Sequence, residues 1–328
     1  MISVREKIYH IHQKILPFLY MGLGLYLIFL LLRYPELSLQ YAYTGLTLWF
    51  RKMIPTLLPF MILSGILISM NLTERFVRLL HPVLHFLCGT TPNGSYIMFM
   101  GFLCGFPMGA RIAGELRRKG RITREEAEHL LVFCNNIGPI YFLSFVVSTL
   151  SLEKPLLPFL VMYGIPLAYG IVIMRMIPTP LSTKSVNYPQ AACNLQQTTG
   201  DPIKPAAPEG LLSAIDSSIL SGLIGIGKLG GYMIFFNLLN MMFVPFTHLP
   251  GVLLHLYQCM LEITSGIAGC GDACPYLVLI MLPFGGFSCI AQTYSMIRGT
   301  DLSIRPYLFH KLMQTGLTAL CYLFLRPF

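Results

Sequence analysis

The chain has 328 residues, 55% of them hydrophobic and 11% charged, with 23 Lys and Arg against 14 Asp and Glu for a formal charge of +9. Soluble domains carry roughly 25% charged residues, so this deficit, with a mean hydropathy of +0.65, argues against a soluble class and for a polytopic membrane protein. The basic residues lie between apolar runs with no aromatic-interleaved patch, which argues against nucleic-acid binding.

Residues 15–32 are apolar, flanked by Lys14 and Arg33, and long enough to span a bilayer. No small-residue cleavage site follows, so they read as a retained first helix within an N-terminal unit, 1–40. The run 53–70 carries Pro55, Pro59 and Gly65, followed by Arg75 and Arg78. His81 and His85 have ligand spacing on a helix, but no third ligand accompanies them. Residues 101–124, GFLCGFPMGARIAGELRRKGRITR, begin apolar yet are interrupted by Gly101, Gly105, Pro107 and Gly109, and they carry six Lys or Arg. One reading is a kinked membrane helix. The other is the tip of a helical hairpin, where Gly105, Phe106, Pro107 and Gly109 open the backbone at membrane depth. Open backbone survives there only against protein or a watery cavity, and a half-helix N-terminus attracts an anion. The basic tail marks a cytoplasmic loop. Thr123 and Glu126 predict a capping box. The helix it starts meets Asn135, Asn136, Gly138 and Pro139. The two amides suit either a polar site or packing between helices. Residues 155–177 are a plainer span, and 178–210 read as a polar linker.

In the second half, 211–245 is predicted to be broken at GIGKLGG, 225–231. Lys228 within it suits an anionic substrate. Glu262, in an apolar run with Thr264 and Ser265, is an ionisable group at membrane depth and so a functional candidate. It could couple a proton, bind a cation, pair with Lys228, or sit in interfacial water. Residues 282–299 carry a second Gly-rich turn, with Gly285, Gly286, Ser288 and Gln292 as further candidates. The nine cysteines are odd in number and mostly apolar in setting, which predicts buried thiols rather than a disulfide framework. No catalytic motif, metal set or cofactor motif is found, so no enzyme is expected.

A shift of 181 residues places Gly105-Phe106 on Gly286-Phe287 and Arg124 on Arg305. Paired broken segments in two halves point to a transporter with internal repeats. An inverted arrangement predicts the first re-entrant segment opening to the cytoplasm. The second would open outward, with Arg298 and Arg305 outside and Arg326 returned inside.

GFPMGAR (105–111) resembles the Gly-Tyr-Pro-Ser-Gly-Ala-Lys stretch of YlbJ-type sporulation integral membrane proteins. Phe133 with Asn136, EITSG (262–266) and PFGGFSCIAQ (283–292) fit the same pattern over about 45–325. The departures are Phe106 for Tyr, Met108 for Ser and Arg111 for Lys. The resemblance implies a Gate, or nucleoside recognition, domain similar to parts of concentrative nucleoside transporters and ferrous-iron permeases. The fold expected is therefore all-α and polytopic, with two inverted repeats, re-entrant helical hairpins and broken helices. The repeats are expected over 41–177 and 211–328. The function implied is movement of dipicolinate during endospore formation, across the mother-cell or outer forespore membrane. Alternatives are another small-solute or nucleoside-type transporter, or a non-transporting sporulation scaffold. The expected partners are a small anionic substrate, the bilayer and a coupling proton or cation, with a homo-oligomer left open.

Overall fold

A bilayer offers the backbone no hydrogen-bond partners, so spanning segments must satisfy themselves, and helices do so. The computed structural model describes residues 4–176, 210–246 and 250–325, and every regular element among them is helical. The linker, except Gly210, and Arg326 lie outside the described residues.

The helices are α1 (Val4–Arg33), α2 (Pro35–Leu48), α3 (Ile54–Ser69), α4 (Thr73–Val77), α5 (His81–Cys88), α6 (Pro92–Cys104), α7 (Met108–Arg118), α8 (Arg124–Cys134) and α9 (Pro139–Tyr141). They continue with α10 (Val147–Thr149), α11 (Leu156–Met176), α12 (Leu211–Leu238), α13 (Gly251–Leu261), α14 (Ile263–Cys270), α15 (Pro275–Met281), α16 (Gly286–Ile297) and α17 (Ile304–Leu325). Among the described residues, six helical runs are long and apolar enough to cross a membrane: Leu16–Arg33, Pro35–Ser69, Arg124–Thr149, Leu156–Met176, Leu211–Val244 and Pro275–Ile297. Two of them, Arg124–Thr149 and Pro275–Ile297, are 67% buried over their most apolar stretch. These two are the interior of the bundle.

A seam of small residues joins α12 antiparallel to α2 and α3. Gly45 lies against the Met233 backbone and Gly65 against Ser218, the close approach that small residues allow between membrane helices. Trp49 Nε1 donates to the Ile226 carbonyl at 2.8 Å. The expected break at GIGKLGG does not occur, because α12 runs unbroken through it. Its glycines serve packing instead: a Cβ on Gly230 would meet the Trp49 ring at 2.5 Å, and one on Gly225 the Met61 methyl at 2.5 Å.

Two helix pairs fold back on themselves. In α6–α7, Asn93 Nδ2 donates to the Arg121 carbonyl at 3.3 Å, which brings the two ends of the hairpin together. In α13–α14, a Cβ on Gly269 would lie 3.0 Å from Gln258 Oε1 and one on Gly266 2.7 Å from Cys259 Cα, which only a fold-back at Glu262 permits. The second fold-back is thus at Glu262 and not within 282–299 as expected. There α15 and α16 bend at Gly285 and Gly286, both at positive φ, and the run continues. It starts where Tyr276 meets Tyr322 and ends where Arg118 Nη1 donates to the Met296 carbonyl at 3.3 Å.

That last contact overturns the expected side of the 298–305 loop. Arg117 holds Asp301 through two bonds, Nε–Oδ1 at 2.8 Å and Nη2–Oδ2 at 2.6 Å. The Ser303 N–H donates to Glu128 at 2.8 Å. The loop therefore lies on the same face as the basic tail of α7. The overlay thus sets Gly105-Phe106, at the turn of one helix pair, on Gly286-Phe287, at a bend within a run that continues.

The Arg117 guanidinium, by hydrogen bonding, holds the Asp301 carboxyl below its usual range against a smaller opposing effect of burial. A depressed carboxylate contributes stability above its unfolded pKa, about 3.9, and loses it as pH falls through the folded value. Asp301→Asn is expected to lower the melting temperature by a few degrees at pH 7, since the pair is partly exposed and worth about 1 kcal/mol. The gap to the native chain should be constant between pH 5 and 8 and close below about pH 4. A gap that persists unchanged at pH 3 would contradict the assignment.

Candidate functional site

The capping pattern at α8 is half as expected. The Thr123 side chain accepts from the Glu126 N–H at 3.2 Å. Glu126 does not reach back but accepts from the Thr91 N–H at 2.7 Å and the Thr91 hydroxyl at 3.0 Å. It thereby ties the start of α8 to the start of the first hairpin.

At its other end α8 stops at Cys134, and four carbonyls at the break find donors, as buried backbone requires. Gln314 Nε2 donates to the Val132 carbonyl at 2.9 Å, Asn136 Nδ2 to Phe133 at 2.6 Å, and Tyr163 hydroxyl to Ile137 at 2.8 Å. The Asn136 carbonyl receives the Phe106 N–H from the first hairpin tip at 2.6 Å. Gly105, at φ +81°, lies against Gly138, where a Cβ would strike the Gly138 nitrogen. Pro139 at the first turn restarts the helix, where a missing N–H costs nothing.

The second half repeats this docking. Glu262 is in extended backbone and caps α14, accepting from the Ser265 N–H at 2.7 Å and the Ser265 hydroxyl at 2.8 Å. Gly286 in the bend lies against that tip, where a Cβ would be 2.9 Å from the Cys259 carbonyl and 3.2 Å from the Ile263 nitrogen. Gly285 lies against the Phe106 ring, 2.8 Å from where its Cβ would be. Two hairpin tips and two interrupted spans therefore converge at one place.

A cavity opens at that convergence, with about 60 Å³ of space for water centres. Phe106, Gly138, Tyr141, Glu262, Thr264 and Gln292 line it, with Leu57, Leu229 and Met233 as its apolar wall. Behind Phe106 stands a fully buried lysine. Lys311 Nζ donates to Asn136 Oδ1 at 2.6 Å and lies over the Phe106 ring, 5.4 Å from its centroid. Gln314 Oε1 is 3.4 Å from the same nitrogen. Neither Lys311 nor Glu262 has an ion-pair partner among the described residues. Asn135 donates to Thr293 at 2.8 Å and to the Tyr307 hydroxyl at 3.2 Å, while its own Oδ1 is buried without a partner.

Of the residues singled out in the sequence, Gly105, Phe106, Pro107, Gly109, Asn135 and Asn136 form or border the first tip and break. Glu262, Thr264, Gly285, Gly286 and Gln292 form or border the second. Ser265 holds Glu262, and Ser288 accepts from Gln292 Nε2 at 3.0 Å. Lys228 is not there. It is exposed on the outer side of α12, in a groove with Tyr294 and Arg298, so it does not pair with Glu262. His81 and His85 are engaged locally, with Ser95 at 2.9 Å and the Thr90 carbonyl at 2.8 Å.

Sequence reasoning missed Lys311. The signal was present: a lysine inside the final apolar run invites the same membrane-depth argument as Glu262. Thr293 and Tyr307 carry no such signal, because their roles depend on where Asn135 points.

The fold and its buried polar centre define a polytopic helical integral membrane protein with two helix pairs that fold back on themselves. Residues 50–164 match the Gate family, described as nucleoside recognition. The chain is similar to the sporulation integral membrane protein YlbJ of Bacillus subtilis (strain 168), 27% identical over 333 residues, covering 92% of this chain and 81% of that protein. The resemblance read from GFPMGAR, EITSG and PFGGFSCIAQ is thereby borne out. No solved structure matches.

Proposed function

We propose that this chain is a transporter of a small anionic or heterocyclic metabolite, with dipicolinate the leading substrate and endospore formation the setting. The observation that carries the reading is the convergence of two hairpin tips and two interrupted spans on a cavity backed by Lys311, a buried amine without a carboxylate partner among the described residues. Discontinuous helices meeting at mid-membrane are how secondary transporters build substrate sites. Dipicolinate offers two carboxylates and a ring nitrogen. The Lys311 amine, behind the Phe106 ring of the cavity wall, suits the former. The likeness to YlbJ supports the sporulation setting.

The halves read as inverted repeats once hairpin is paired with hairpin. The first repeat, within 41–177, is α6–α7, the span 124–149 and α11. The second, within 211–328, is α13–α14, the span 275–297 and α17. The first hairpin enters from the face bearing Arg117, Arg118, Arg121 and Arg298, which is cytoplasmic by the positive-inside rule. The second enters from the opposite face, next to the end of α12, where Tyr257 hydroxyl donates to the Leu239 carbonyl at 3.0 Å. Residues 1–40 add a helix outside the repeats. The cavity is tight for a ring-sized solute, so admission requires one hairpin tip to withdraw, giving access from one side at a time.

Reconstitution in proteoliposomes tests this. Saturable dipicolinate uptake above protein-free vesicles is expected. Nucleoside uptake without dipicolinate uptake would refute the substrate and keep the class. Uptake of neither would refute the transporter reading.

A further inference from the structure

We propose that Cys270 and Cys274 are a disulfide-forming pair on the outer face of the protein. They stand at the joint where the second hairpin gives way to a span: α14 ends at Cys270 and α15 starts at Pro275. The Ala273 N–H donates to the Cys270 carbonyl at 3.1 Å, with Gly271 at φ +52° inside the turn. A turn closed in this way brings the chain back to within about 7 Å of itself. The Cys274 N–H and the Cys274 thiol both hydrogen-bond to Cys270. Two thiols in contact across a tight turn need little backbone movement to bond.

The span fixes which face the pair occupies. Pro275–Ile297 is long and apolar enough to cross the membrane. It ends on the basic face, where Arg118 Nη1 donates to the Met296 carbonyl at 3.3 Å. Its start, and the 270–274 turn with it, is therefore at the opposite face. Asp272 and Ala273 are exposed there and Cys274 is half-buried. Calling this face the outer one rests on the proposed orientation, through the positive-inside rule. Outside the cell is where disulfides form and persist. Cys259 is the competing partner, since its sulfur would be 2.6 Å from a Cβ on Gly266 of α14. It is fully buried, so an external oxidant reaches Cys274 first.

The oxidant is a disulfide outside the membrane, of a small molecule or a protein, and the reaction is exchange. The Cys274 thiolate attacks one sulfur of that disulfide and releases the other as a thiol. The Cys270 thiolate then attacks the Cys274 sulfur and displaces the second thiol. Two protein thiols give up two protons and two electrons to form one S–S bond, and the external disulfide becomes two thiols. The bond ties the end of α14 to the start of α15. Neither sulfur lines the cavity, so the pair is separate from the proposed substrate site.

Sealed membrane vesicles carrying the full chain test this. They are reduced with dithiothreitol, washed and treated with oxidised glutathione, which does not cross the membrane. Free thiols are then blocked with iodoacetamide in SDS, and the unreduced chain is digested for mass spectrometry. In right-side-out vesicles the peptide spanning 270–274 should carry neither iodoacetamide nor glutathione and should be about 2 Da lighter, the loss of two hydrogens. Cys134 and Cys289 should carry iodoacetamide. In Cys274→Ser, Cys270 should take iodoacetamide or glutathione. In inside-out vesicles both thiols of the native chain should stay free. Free thiols at 270 and 274 in both kinds of vesicle, or a bond from Cys270 to Cys259, would overturn the pairing. Oxidation in inside-out vesicles alone would overturn the outer-face assignment. Uptake is not the readout, so the result stands apart from the transporter reading.

Discussion

Lys311→Met is expected to weaken transport by about 10- to 100-fold while changing the stability of the protein little. The lysine is fully buried, donates to Asn136 Oδ1 at 2.6 Å, and has no carboxylate of the described residues within ion-pair distance. A buried charge without a counter-ion is costly to desolvate, and replacing buried charge by a well-packed apolar side chain of similar volume is often neutral or stabilising. Met matches the lysine stem in length. It leaves Asn136 Oδ1 without its donor, an offset of about 1–3 kcal/mol, so the net change in stability should be small. Transport responds differently. A charge-assisted hydrogen bond to an anionic solute is worth about 1.5–3 kcal/mol, so its loss weakens binding by about 10- to 100-fold. The melting temperature and the initial uptake rate, measured on one preparation, separate the two effects. A stable variant with native uptake would remove Lys311 from the site. A variant that fails to fold would mean that the lysine is structural.

The second large effect is expected at the first hairpin tip. Gly105 has φ +81° and ψ −164°, a region essentially confined to glycine. A Cβ there would also strike the Gly138 nitrogen, which is backbone and cannot swing aside. Backbone strain of about 1–3 kcal/mol and the clash add, so Gly105→Ala should cost about 3 kcal/mol or more and undock the tip from Asn136. Thermal melting in detergent should show a large loss, together with loss of uptake. Gly24→Ala is the comparison. That glycine lies in α1, and a Cβ added to it would meet no atom within 4 Å, so the change should be neutral or slightly stabilising. Equal melting temperatures for the two variants would contradict the docking geometry.

How far the sequence could be read depends on which contacts are local. The tip at Gly105 and the break at Asn135–Pro139 were legible because Gly, Pro and Asn there interrupt long apolar runs, and a bilayer tolerates such interruptions only where protein satisfies them. Glu262 was legible as a membrane-depth acid, though not as a cap and fold-back, because one residue of extended backbone leaves no composition signal. GIGKLGG misled for the opposite reason. Its glycines look like breakers, yet α12 stays helical because Gly225 and Gly230 let Met61 and Trp49 approach. In a membrane helix the same residue serves either role, and only the facing helix decides. The side of the 298–305 loop was misread because the basic count there is small, and the Arg117–Asp301 pair that fixes it joins residues far apart in sequence.

The central claim is that the solute binds where the two tips meet. A Thr264→Cys variant in a cysteine-free background puts one thiol on the cavity wall, and Lys228→Cys puts one in the outer groove. The alkylation rate of each, with and without saturating dipicolinate, is the direct test. Dipicolinate should slow labelling at 264 by about tenfold or more and leave 228 unchanged, as expected for a site occupied at concentrations well above Kd. Unchanged labelling at 264 while uptake proceeds, or equal slowing at both positions, would contradict it.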